Sequence, residues 1–221
     1  MTGNISGFSA LIEKAMVQTC YMTAASLVCS VVLGGALGLM MYLTAEPLFY
    51  RNRALNQLMS AVVNIIRSLP FLILMIFVLP LSKFIVGTKI GPDAVIVPLT
   101  IWATAFFARL AEASFAAVSH GVIEAYVASG ASTLRVVVKI LLPEARIALL
   151  KNITVTLISV IGSSAMAGLV GGGGLGDLAY RYGYQQYRTD IMLACVVILI
   201  IMVQLIQLLG DGIVARIKKK Q

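Results

Sequence analysis

Long apolar runs alternate with short polar breaks along the whole chain, and five runs stand out, at residues 15–42, 57–82, 94–115, 153–170 and 191–210. Drawn as helices they reach about 27–42 Å, the scale of a hydrocarbon core about 30 Å thick. The pattern predicts an all-α integral membrane protein of five spans, with one membrane domain over 15–212. The first run follows Glu13 and Lys14 rather than a basic start, so it reads as a span and not as a secretory signal. Val28 before Cys29 is too bulky for a lipoprotein cleavage site. Gly34, Gly35 and Gly38, spaced at three and four residues, allow another helix to pack closely. The second run is interrupted early by Arg67, Ser68 and Pro70 and late by Pro80; the third holds Pro98 and ends on Arg109 and Glu112, a spacing that lets the two pair on one helix face.

Between the third and fourth runs the pattern changes. Residues 124–143 read EAYVASGASTLRVVVKILLP and mix Glu124, Arg135 and Lys139 with apolar positions at helical spacing. Two short helices are expected. The first covers 121–129, with Ile123, Tyr126 and Val127 on one side. Gly130 takes the left-handed conformation that ends it, and Ser132 or Thr133 caps the second. Val136, Val137, Ile140 and Leu141 form the second helix's apolar stripe, and Pro143 stops or kinks it. Ile140 and Leu142 are expected to pack inward against the bases of the spans. Two amphipathic helices between spans suit a lever that another protein pushes.

Apolar residues make up 60% of the 221 positions and charged residues 12%, against about 45–50% and about 25% in soluble domains. The net charge of +8 does not point to nucleic acid, because the charges cluster at the ends of apolar runs. Arg51, Arg53, Arg135, Lys139, Arg146, Lys151, Arg216 and Lys218 to Lys220 fall on one side of a five-span layout. Lys14, Lys83, Lys89, Arg181 and Arg188 fall on the other. The richer side is expected in the cytoplasm, with the N-terminus outside and the C-terminus inside.

Several chemistries are disfavoured. No Gly precedes a Lys-Ser or Lys-Thr pair, so the phosphate loop of an ATPase is missing. Gly171, Gly173 and Gly176 match GxGxxG without a strand-helix-strand unit, and read instead as a flexible turn that folds 175–183 back as an outer gate or docking surface. His120 is the only histidine, expected to be solvated, and no metal cluster or hydrolytic triad can be assembled around it. Cys20, Cys29 and Cys195 lie inside apolar runs and are expected to be small core residues. Carboxylates stand at or beyond span ends, which weakens the alternative of an ion-coupled secondary carrier.

Candidates for a path or gate are Arg67, Pro70, Ser163 and Met166. Arg67 is either a pathway residue that meets a substrate carboxylate or a border residue of a span that begins near Pro70. Met166, among Ser163, Ser164, Ala165 and Gly168, is either packing or a plug that closes a pore.

The stretch 124–143 resembles the signature of ABC importer membrane subunits: Glu-Ala-Ala, three residues, Gly, nine residues, then Ile-x-Leu-Pro. Glu124, Ala125, Gly130, Ile140, Leu142 and Pro143 fall in register, with Tyr126 in place of the second Ala. Residues 64–71 (NIIRSLPF), 96–100 (IVPLT) and 164–176 continuing to 180–184 are similar to the methionine-importer permease family. The resemblance implies a type I ABC importer transmembrane domain in a bacterial inner membrane. It would pair with a second copy of itself, two ATPase subunits docked on coupling helices at 120–143, and an extracytoplasmic substrate-binding protein. ATP and Mg would bind the ATPase, leaving this chain without a cofactor or metal. The substrate implied is methionine or a related amino acid; another small solute is the alternative.

Overall fold

The computed structural model describes residues 3–219, with side chains from Phe8 onward; Lys220, counted above among the basic residues, lies outside them. No strand occurs among the described residues. The helices are α1 (Gly3–Ala45), α2 (Arg53–Ser68), α3 (Phe71–Val86), α4 (Pro92–Ala116), α5 (His120–Ala128), α6 (Thr133–Val136), α7 (Leu142–Ala167), α8 (Gly174–Leu178) and α9 (Thr189–Lys218). Among the described residues, four helical stretches are long and apolar enough to cross a membrane, beginning with α1, α4, α6 and α9; α2 and α3 make a fifth only if counted together. We call the end of the bundle that carries α5 and α6 basal, and the end that carries α8 distal.

The most extensive packing is between α1 and α4, which run parallel. Met22 meets Val95 and Leu99 in one apolar cluster. A Cβ built on Gly34 would stand 2.7 Å from the Thr104 carbonyl oxygen, and one on Gly38 would overlap the Ala108 carbonyl oxygen and lie 2.9 Å from Ala111 Cβ. These two glycines set the approach of the helices. Gly35 points elsewhere, its Cβ position meeting only the Phe107 ring at 3.6 Å.

The single span expected at 57–82 is instead two helices bent by 110°. Leu69, restricted by the following proline, is extended (φ −81°, ψ 132°), and α3 starts immediately after Pro70. Pro80 lies inside α3 without ending it. The α2 start is fixed by Asn52, whose side chain accepts from the Leu55 amide at 3.1 Å.

Pro143 does not stop a helix either. Residues Val137–Leu141 form a π-helical turn in which the Leu142 amide reaches back to the Val137 carbonyl, and α7 begins with Pro143 in its first turn. The first turn of a helix needs no proline N–H, and the wider turn before it gives the ring room. The helical path therefore runs from Thr133 to Val170.

The glycine-rich distal turn is close-packed. Gly171, Gly173 and Gly174 hold φ of 77–79°. A Cβ on Gly168 would overlap Asp177, one on Gly176 the Ala165 carbonyl, and one on Gly172 would stand 2.6 Å from Val95. These glycines let α8 fold back against α7 and α1, with Leu175 and Leu178 buried among Ala15, Ile191 and Cys195. Left-handed backbone at Gly171, Gly173 and Gly174 and close approach at Gly168, Gly172 and Gly176 are what the glycines supply here.

Cys195 is buried, whereas Cys20 and Cys29 are exposed. In a membrane bundle the outward face of a helix is as apolar as the inward one, so an apolar run does not mark the core.

Candidate coupling site

The two short helical pieces expected around Gly130 form at the basal end, and we call them the lever for their shape alone. α5 closes with Gly130 at φ 82°. The Gly130 amide donates to the Val127 carbonyl at 3.0 Å and the Ala131 amide to the Tyr126 carbonyl at 3.2 Å, the paired bonds of a Schellman cap. Open space surrounds the Gly130 Cβ position, so backbone conformation alone selects glycine there. Ser132 occupies the N-cap of α6 without a side-chain hydrogen bond.

One side of the lever is anchored. Ile123, Val136, Val137 and Leu141 are buried in a cluster with Tyr42 of α1, Phe107 and Phe115 of α4, and Ala145 of α7. Ile140 packs against that cluster. Leu142 is more open: at 39% exposure it borders a groove with Phe107, Phe115 and Leu149, while Leu141 takes the fully buried place.

The other side is open. Glu124 is 65% exposed, and Ala125, Arg135, Lys139 and Pro143 are exposed as well. Val122, Tyr126, Leu134 and Val138 also point outward, Leu134 at 74% exposure. They form two i, i+4 pairs of apolar side chains where a water-facing surface calls for polar ones. Tyr126, expected on one side with Ile123 and Val127, is turned outward instead, while Ile123 is fully buried; the i, i+4 spacing of Val122 and Tyr126, and of Leu134 and Val138, is the signal that could have found this face.

His120, expected to be solvated, is 59% exposed but partnered. Its Nε2 stands 3.0 Å from Glu46 Oε1 in the turn after α1, and its Nδ1 3.9 Å from Glu124 Oε2. Nothing in the spacing of residues 46 and 120 announces this tie, which depends on α1 and α4 ending side by side. Arg109 pairs with Glu112 at 2.7 Å and also donates to Asn64 of α2 at 2.9 Å.

The remaining candidates lie away from the lever. Arg67 ends α2 with Pro70 at the bend, and both are exposed. Ser163 and Met166 lie in the last turns of α7, toward the distal end; Ser163 is buried and Met166 is 51% exposed. Among the described residues, no group of three or more His, Cys, Asp or Glu side chains is placed to hold a metal.

Residues 30–221 match the family described as binding-protein-dependent transport system inner membrane component. The chain belongs to this family. Among its relatives, a probable D-methionine transport system permease protein MetI of Vibrio cholerae is 47% identical over 209 residues, covering 95% of this chain and 93% of the relative. The methionine import system permease protein MetP of Bacillus subtilis is 46% identical over 181 residues, 82% of each chain. The fold matches an inward-facing structure of the MetNI methionine ABC transporter with a TM-score of 0.92 and 42% identity, covering 94% of this chain and 96% of that one. The fold is therefore that of a type I ABC importer permease. An amino acid ABC transporter crystallised with histidines shares the fold at 19% identity (TM-score 0.79).

Proposed function

We propose that this permease is the membrane-spanning subunit of an ATP-driven methionine importer, working as a pair with two ATPase chains and an extracytoplasmic binding protein. The observation that carries the substrate is the nearly full-length similarity to permeases named for methionine transport in two distant bacteria. The lever supports the ATPase coupling. Glu124, Ala125 and Gly130 stand on its open surface, and Ile140 anchors its second half. Leu142 and Pro143 lead from it into α7. ATP and Mg bind the partner, and binding that closes the ATPase pair pushes the lever. The buried cluster beneath passes that displacement to α1, α4 and α7, tipping the spans between inward-open and outward-open. ATP drives this only through its different affinity for the two arrangements of the ATPase pair. The basic residues of the basal loops support a cytoplasmic lever, with the N-terminus outside.

The test is reconstitution of this chain with its ATPase and binding protein in vesicles. ATP-dependent methionine uptake is expected, with a lone cysteine at Lys219→Cys labelled from the ATPase side. Uptake indifferent to ATP would overturn the reading, and labelling from the opposite side alone would invert the topology.

Met166 is the proposed outer gate. It is the bulky exposed residue on a turn where Gly162 is open and Ser163 is turned inward. Met166→Ala is expected to raise passive methionine leak severalfold, with ATPase co-purification unchanged. Parent-level leak would return Met166 to a packing role.

A further inference from the structure

We infer that Arg67 is a waiting point for the carboxylate of the transported solute, midway through the membrane at the head of a polar strip on α2; the inference rests on the importer reading above. Its depth comes from its neighbours. α2 climbs antiparallel to α1 and α4: Asn56 donates to the Met41 carbonyl at 2.7 Å near the basal end of α1. Asn64, two turns on, accepts from Arg109. Ile66 then shares a groove with Leu33, Thr100 and Thr104. Thr104 lies about 18 Å along α4 from its basal end at Ala116, in a hydrocarbon core about 30 Å thick. Arg67 follows Ile66 directly, so it stands near the bilayer middle rather than at the border of a late-starting span.

Gln57, Ser60, Asn64 and Arg67 recur every three or four residues and share one side of α2; Leu58, Val62 and Ile65 share the other. Gln57, Asn64 and Arg67 are exposed in the single chain. At this depth an exposed amide and guanidinium cannot face acyl chains without a large desolvation cost, so the strip faces water or protein and the apolar side takes the lipid. The two arginines near it differ. Arg109 is satisfied by Glu112 and Asn64. The Arg67 guanidinium has no hydrogen bond or ion pair among the described residues. An arginine presents a planar fork of donors matched to a carboxylate. Glu112, on the neighbouring helix, is already taken by Arg109. Among solutes an importer passes, this favours those with a free carboxylate, such as α-amino acids.

The test uses the complete transporter with Cys20, Cys29 and Cys195 replaced and a single reporter, Ser68→Cys, beside Arg67. A charged, membrane-impermeant thiol reagent is expected to modify Ser68→Cys. Methionine should slow that modification about tenfold, the scale of one charge-assisted hydrogen-bonded pair. The amine 3-(methylthio)propylamine, with the same side chain and no carboxylate, should not. Protection should vanish in Arg67→Gln and persist in part in Arg67→Lys. An unreactive Ser68→Cys, equal protection by the amine, or protection that survives Arg67→Gln would each overturn the site. Methionine uptake by the cysteine-free parent separates the two levels: uptake without protection removes the Arg67 site alone, whereas no uptake removes the importer reading and the site with it.

Discussion

Gly38→Leu is expected to prevent stable assembly of the bundle, while Gly35→Ala is tolerated. The two positions are three residues apart on α1, and the contrast follows from what each faces. At Gly38 even a Cβ overlaps the Ala108 carbonyl oxygen and stands 3.1 Å from the Glu112 amide nitrogen. Backbone of a packed helix cannot step aside as a side-chain tip can. Overpacking a well-fitted interface typically costs 1–3 kcal/mol, and the whole stability of a domain is only about 5–15 kcal/mol. In a membrane the loss is not offset by hydrophobic burial elsewhere, because lipid solvates the separated faces and helix association rests on close packing. α1 also brings Tyr42 to the cluster under the lever, so separation from α4 removes the lever's footing. Yield and thermal midpoint of the detergent-purified chain check this. A Gly38→Leu protein as monodisperse and heat-stable as the parent would mean that α1 does not need its close seat on α4. Gly35→Ala should match the parent, since its Cβ meets only a ring edge at ordinary contact distance.

The elements that were legible in the sequence are those governed by local rules. Apolar length marked the long helices, and glycine spacing marked a close helix contact on α1 without naming α4 as the partner. The left-handed turn at Gly130 followed from one residue type between two helical patterns. What was not legible depended on direction. Arg67, Ser68 and Pro70 announced an interruption, but a proline before a helix allows a kink or a right-angle turn alike, and packing of Phe71 and Met75 against α4 selects the 110° bend. Pro143 announced a stop, but five residues of π-helix ahead of it let the helix continue. Leu142 fits the family signature in position yet is left at the rim of a groove while Leu141 is buried, because a signature fixes spacing and not depth of burial. His120 and Glu46, 74 residues apart, meet only because two parallel spans end at one level.

Gly130→Val is expected to uncouple ATP hydrolysis from transport while leaving the spans inserted. Gly130 sits at φ 82°, and a β-branched residue in that region is a backbone outlier costing on the order of 1–3 kcal/mol. No neighbour lies within 4 Å of the added Cβ, so the strain can be relieved only by changing the backbone. That change breaks the Gly130–Val127 and Ala131–Tyr126 hydrogen bonds and swings α5 relative to α6. Ile123 is the one fully buried residue of α5, and Val136 and Leu141 anchor the second half separately. The second half therefore stays seated while Glu124, Val122 and Tyr126 leave their places on the open surface. An ATPase that docks across both halves meets a mismatched face: co-purification should fall, and ATP-dependent uptake should drop to background at parent-level membrane content. Gly130→Ala, with a smaller left-handed penalty and no branching, should retain a measurable fraction of both. Glu124→Ala is the less discriminating variant, because the carboxylate also neighbours His120 at 3.9 Å and its loss perturbs the start of α5 as well as the docking face. If Gly130→Val binds the ATPase and transports like the parent, the two helices on either side of it are not the element through which ATP moves the spans.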